Sequence, residues 1–152
     1  MHEPTVLVSA CLIGCRCRYD GKTNCISAIA EEAKKRGWIP ICPEILGGLP
    51  TPRTPSERKG EKVVSKDGKD VTEAFARGAE EAAAIAKLYE AKYALLKERS
   101  PSCGSGLIYD GTFTGTRVPG FGVTAEKFKA MHIAVFGESQ IAELLKLLEE
   151  EK

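Results

Sequence analysis

Apolar and polar positions along the chain change period several times, and each change marks an element. The run Thr5–Ser9 (TVLVS) is mostly apolar, as a strand buried on both faces is. From Ile26 to Arg36 the period lengthens. Ile26, Ile29, Ala30 and Ala33 share one helical face, with Asn24 placed to cap the helix and Gly37 to end it. A short strand, Trp38–Ile41, follows. Residues 43–60 break the pattern, and five of the eight prolines lie between residues 40 and 55, which predicts a stiff loop and not a flexible linker. Lys62–Ser65 and Lys69–Val71 flank Asp67-Gly68, the chemistry of a hairpin turn. Thr72 stands as the N-cap of an Ala-rich helix, Glu73–Glu90.

Tyr93–Lys97 reads as the third core strand. A second long loop, Glu98–Gly122, carries a small hairpin around Asp110-Gly111. Thr124 caps a helix running to Met131, Ile133–Phe136 is a fourth strand, and Ser139–Glu150 is a final amphipathic helix. This alternation predicts an α/β fold: a layered, Rossmann-like sandwich with a mainly parallel sheet of about four core strands and a small hairpin. No repeat, low-complexity tract or linker divides the chain, so residues 1–152 are expected to form a single domain without an additional C-terminal one.

Composition narrows the function classes. With 22 basic and 21 acidic residues the formal net charge is +1, which gives no footprint for nucleic acid or for an anionic membrane. The apolar run after Pro4 is too short for a signal peptide or a membrane span, so the expectation is a cytoplasmic protein. One Asn (Asn24) and one Gln (Gln140) beside many Lys and Glu hint at a thermophilic source. Six cysteines in a reducing compartment point to metal ligands, catalytic thiols or buried apolar residues before disulfides.

The cysteines acquire meaning once placed on that plan. Cys11 follows the first strand, Cys42 the second, and Cys103 lies in the loop after the third. In open parallel sheets the ligand site forms outside the carboxyl ends of the strands. All three are therefore delivered to one edge, although each taken alone would read as a small buried residue. Structural zinc would want a fourth ligand, usually His. The two histidines, His2 at the terminus and His132 before the fourth strand, are poorly placed for it. Soft thiolates without His suit a 4Fe–4S cluster, and three cysteine ligands leave one iron with an open position. Cys15 and Cys17, in the loop after the first strand, can replace or supplement a ligand. Cys25, opening the first helix, reads as a packed small residue.

Acid, base and anion-binding candidates sit on the same rim. Glu44 lies two residues after Cys42 on a turn stiffened by Pro43, Asp20 follows the first strand, and Ser100 and Ser102 flank Pro101 before Cys103. Arg53 closes Pro50-Thr51-Pro52 and reads equally as an anion-binding residue or as loop support. Glu98, Arg99 and Asp110 belong to the rim, with Asp110-Gly111 best read as a turn dipeptide.

At these residues the sequence resembles a known family. The strings VLVSACLIGCRCRYDG (6–21), CPEILGGLPTPR (42–53), DVTEAFARGAE (70–80), KERSPSCGSGLIYDGTF (97–113) and PGFGVTAEKF (119–128) resemble the bacterial 2-thiouracil desulfurase family, long labelled a domain of unknown function. The resemblance implies a 4Fe–4S cluster held by Cys11, Cys42 and Cys103, with the fourth iron free for the sulfur leaving a small thiolated heterocycle. It implies a non-redox desulfuration in which the carboxylate of the CPE string, Glu44, and the serine of SPSC, Ser102, take part. Asp20 is a second candidate for activating water, and Ser100 and Arg53 are candidates for binding substrate. Against this stand two alternatives: a cluster- or metal-binding sensor or carrier without catalysis, and a cluster-dependent thiolation enzyme, for which neither an ATP-loop signature nor a basic face is present. The oligomeric state is left open.

Overall fold

Val6–Ser9 (β1) is buried at every position, as the mostly apolar run requires. The computed structural model describes residues 3–151, so His2 lies outside the described residues. After a tight turn over Ala10–Ile13 and a loop comes the helix Ser27–Arg36 (α1), then Ile39–Ile41 (β2) and the single-turn helix Pro43–Leu46 (α2). Ser56–Lys59 (β3) and Lys62–Ser65 (β4) form an antiparallel hairpin. The long helix Thr72–Leu88 (α3) leads to Tyr93–Leu96 (β5). A second hairpin, Ser105–Tyr109 (β6) with Arg117–Phe121 (β7), precedes Val123–Ala130 (α4), Ala134–Gly137 (β8) and Ile141–Glu150 (α5).

Among the described residues β2, β1, β5 and β8 pair in that order as one parallel sheet. Strand alternation splits the core between its two faces. Leu7, Ala94 and Leu96 face Ala82 and Ala86 of α3 and Ala125 and Phe128 of α4. Val6, Val8 and Leu95 face Ile29 and Ala33 of α1 and Leu144 and Leu148 of α5. The expected α/β sandwich is therefore present, helices covering both faces. Each fully buried Leu or Phe contributes roughly 1.5–3 kcal/mol to the folded state. No described helix is long and apolar enough to cross a membrane.

Several local expectations are corrected. Asn24 does not cap α1, whose N-cap is Ile26, although Gly37 ends that helix in the left-handed conformation as expected. Thr72 begins α3 but turns its hydroxyl to accept the Val63 N–H at 2.9 Å. Thr124 lies inside α4, which Gly122 caps, and bonds its hydroxyl to that of Ser102 at 2.8 Å. The first hairpin turns at Gly60-Glu61, because β3 was hidden in the proline-rich stretch. Lys69–Val71 adds only a bridge, Val64 with Asp70, beside it. Cys25 is exposed, not packed.

Candidate functional site

Strand order reverses between β1 and β5: the chain steps from β1 outward to β2, then returns to the other side of β1 for β5 and β8. Loops leaving the carboxyl ends at such a point diverge and leave a crevice. Here the crevice has a volume of about 610 Å³, and Cys11, Cys17, Cys42 and Cys103 all line it, together with Glu44 and Ser100.

Each ligand candidate is held by backbone that follows from its neighbours. Cys11 sits in the turn directly after β1. Its carbonyl accepts the Asn24 N–H at 3.0 Å and the Thr23 hydroxyl at 2.8 Å, which fold the loop back across it. Cys42 is the N-cap of α2, and Pro43 supplies the fixed φ that suits a first helical turn. That turn lies backbone-to-backbone on α3. A Cβ on Gly78 would overlap the Pro43 carbonyl, and one on Gly47 would overlap that of Ala74. Cys103 is buried. The Ser100 hydroxyl accepts both the Ser102 N–H at 3.1 Å and the Cys103 N–H at 3.0 Å, closing the turn that presents it. Gly122 presses on the same turn, with no room for a side chain against Ser102.

The thiols are electrostatically unequal. A hydrogen bond from the Cys17 thiol lowers the pKa of both Cys11 and Cys42, and burial opposes it at each. Those same bonds to Cys11 and Cys42 hold Cys17 protonated. Burial pushes Cys103 up, against a hydrogen bond with Ser9. Burial also raises Glu44, while Arg53, whose Nε donates to Glu44 Oε1 at 3.3 Å, offsets part of the rise. Glu44 keeps 20% of its side-chain surface accessible.

The remaining candidates divide. Arg53 is 6% exposed; it also donates to the Cys17 carbonyl at 2.9 Å, the Pro50 carbonyl at 3.2 Å and the Thr51 hydroxyl at 3.2 Å. Loop support is thus built in, and its guanidinium still borders the cavity. Ser100 faces the cavity, whereas Ser102 is fully buried behind the turn against Thr124. Asp20 does not line the cavity; it accepts from Arg18 at 2.9 Å and from the Lys22 N–H at 3.0 Å. Asp110 is a half-buried turn residue bonding Thr112. His132, in a left-handed conformation after α4, is no part of the lining. Among the described residues no three His, Cys, Asp or Glu side chains are grouped as the donors of a single metal ion would be.

Sequence reasoning missed Asn24, whose side-chain N–H points at Cys11 Sγ at 3.5 Å, and the hairpin residues Lys66, Tyr109 and Phe113 that reach the cavity wall. The signal for the latter was available, since both hairpins lie in loops that leave carboxyl strand ends.

Fold and site together define an α/β protein whose ligand crevice is lined with thiols and a carboxylate. The chain belongs to the 2-thiouracil desulfurase family, whose model matches residues 6–140. It is 41% identical over 150 residues to the uncharacterized protein YbbK of Bacillus subtilis (strain 168), an alignment covering 92% of this chain and 99% of YbbK. The solved structure of the [4Fe-4S]-dependent thiouracil desulfidase TudS superposes with a TM-score of 0.92 at 45% identity, covering 97% of this chain and 99% of that one.

Proposed function

We propose that this protein is an iron–sulfur-dependent desulfurase acting on thiolated pyrimidines such as 2-thiouracil, exchanging C=S for C=O by hydrolysis without net redox change. The observation that carries this reading is the arrival of Cys11, Cys42 and Cys103 from three successive strand ends on one cavity that also holds Glu44. The donor chemistry fits a 4Fe–4S cluster: soft sulfur donors, with no described His among the lining residues. A single ion needs its donors crowded within about 2.3 Å of it, whereas a cluster takes one thiolate per iron and tolerates donors spread around a cavity. When bound, the cluster supplies an iron without a protein ligand, a soft Lewis acid matched to a soft sulfur.

The chain's own residues do the rest. The cavity walls fix the flat heterocycle against the thiol face. Glu44, raised in pKa by its surroundings, takes a proton from the water that attacks the ring carbon. Arg53 holds that carboxylate by one oxygen, and Ser100 fixes the Cys103 turn. In balance, thiouracil and water yield uracil and hydrosulfide with a proton released.

Protein prepared anaerobically should carry about four irons and four labile sulfides per chain and release sulfide from 2-thiouracil. Cys11→Ser, Cys42→Ser and Cys103→Ser should each lower iron content and turnover together. Stoichiometric zinc without labile sulfide would sink the assignment.

A further inference from the structure

The loop between β6 and β7 reads Gly-Thr-Phe-Thr-Gly-Thr over residues 111–116, and that alternation sorts it into two sides. Thr112, Thr114 and Thr116 are exposed and hydrogen-bond in series. The Thr112 hydroxyl donates to Asp110 Oδ1 at 2.6 Å, and the Thr114 hydroxyl meets those of Thr112 and Thr116 at 2.6 and 2.9 Å. On the other side Gly111 lies flat on β3, where a Cβ would come within 2.7 Å of the Lys59 side chain, and Phe113 and Gly115 line the crevice. Phe113 is half-buried yet belongs to neither core cluster, and among the described residues no second aromatic ring packs on it.

The backbone at Phe113 is strained. Its φ of +58° lies in the left-handed region, uncommon for a bulky side chain, and such a conformation persists only where the surroundings over-determine it. Glu57 of β3 is what holds it there. Its Oε1 accepts the Gly111 N–H at 3.0 Å and the Phe113 N–H at 3.2 Å, and Glu57 itself lines the crevice. One hairpin thus clamps the loop of the other where an unpartnered ring meets the cavity. Resting on the desulfurase reading, we infer that Phe113 is the stacking platform for the substrate, its ring lying against one face of the flat heterocycle, and that Glu57 is the positioning residue that keeps the platform in place. A π-face favours planar rings and tolerates different polar edges. This contact therefore selects planar thiolated heterocycles as a class and leaves the choice among them to the polar groups of the rim.

The test measures sulfide release by anaerobically loaded enzyme from 2-thiouracil and from its dihydro analogue, whose saturated ring is puckered. Phe113→Leu keeps apolar bulk and removes the π-face. It should raise KM for 2-thiouracil roughly tenfold, the scale on which losing an aromatic partner weakens binding of a base, with kcat changed far less. The preference for the planar over the puckered substrate, taken as a ratio of kcat/KM values, should shrink by a similar factor. Intrinsic reactivity cancels when wild type and variant are compared. Glu57→Ala should raise KM in the same direction, and Glu57→Gln, which keeps an acceptor oxygen, should restore most of it. Added to Phe113→Leu, Glu57→Ala should change little more, because it acts through the ring. Phe113→Met, checked for folding by circular dichroism, gives the same readings where Phe113→Leu does not fold. Equal KM and equal preference in wild type and the Phe113 variants would overturn the inference. So would additive effects of the two substitutions, or loss of iron from a folded Phe113 variant, which would make the residue a wall of the cluster site. Those outcomes leave the desulfurase reading standing, whereas iron-loaded wild-type enzyme that releases no sulfide from 2-thiouracil would overturn both.

Discussion

Asn24 donates its side-chain N–H to Cys11 Sγ at 3.5 Å, and Arg18 orients it by donating to Oδ1 at 3.1 Å. Arg18 is in turn held by Asp20 at 2.9 Å, so the Asp20 carboxylate reaches Cys11 through two intermediaries, Arg18 and Asn24. A hydrogen bond to a ligating sulfur withdraws electron density from it, which raises the reduction potential of the metal centre. Asn24→Leu should therefore lower the potential of the loaded enzyme in a redox titration with iron content unchanged. Asp20→Asn should shift it in the same direction by less. No shift in either would mean the contact is lost when the cluster is held. Glu44→Gln separates chemistry from cluster binding in another way. It keeps shape and removes the proposed base, so iron content should stay normal while turnover of 2-thiouracil falls by roughly a hundredfold or more. Of these residues Glu44 was legible in the sequence, because Pro43 fixes it beside a strand-end cysteine. Asn24 was not. Its spacing before α1 suits a cap equally well, and only the folded loop shows which polar group it meets.

At the scale of elements, α2 owes its position to two glycines. Gly47 and Gly78 let α2 and α3 meet without side chains between them, and Arg77 Nη1 adds a bond to the Gly47 carbonyl at 3.0 Å. Gly78→Ala forces a methyl into the Pro43 carbonyl, an overpacking that typically costs about 1–3 kcal/mol. Chemical denaturation should register that loss, and cluster loading should fall with it, since Cys42 caps the displaced turn. A glycine in the middle of an Ala-rich helix looks like a flaw in the sequence. Its value appears only against α2. The hairpins show the opposite case, because their turn carboxylates are local and readable. Asp67, Asp70 and Asp110 have lowered pKa values, chiefly through hydrogen bonds from Ser65, Thr72 and Thr112 respectively. A depressed folded-state pKa adds stability above the unfolded value and loses it as pH falls through the folded one. Acidification from about pH 5 to pH 2 should therefore loosen the turns. Asp110→Asn should flatten part of that dependence in a series of thermal midpoints.

For the molecule as a whole, the sheet and the crevice follow different rules. The core was legible because β1, β5 and the helices carry their periods in local sequence, and the parallel class follows from strand–helix alternation. Strand order and the first hairpin's register were not, since Ser56–Lys59 has no apolar alternation and pairs only because the folded loop brings it there. The same division governs stability. Leu7, Leu95 and Phe128 are fully buried and need no cofactor to pack. The crevice walls around the thiols are loops held by turn and side-chain hydrogen bonds and not by a strand ladder, so binding energy from a cluster flows mainly into them. A group bound by the folded state alone raises stability by an amount that grows with the logarithm of its concentration over its Kd. Stripping the cluster with a chelator under air should therefore lower the thermal midpoint. Hydrogen exchange should speed up in residues 10–26, 42–59 and 97–122, with the strands of the sheet retaining their protection. Cys11→Ser should show the stripped pattern from the outset and gain nothing from iron and sulfide. If the strands instead lost protection together with the loops, the cluster would be a folding centre of the whole chain, and the separation between an autonomous core and a cofactor-ordered edge would be wrong.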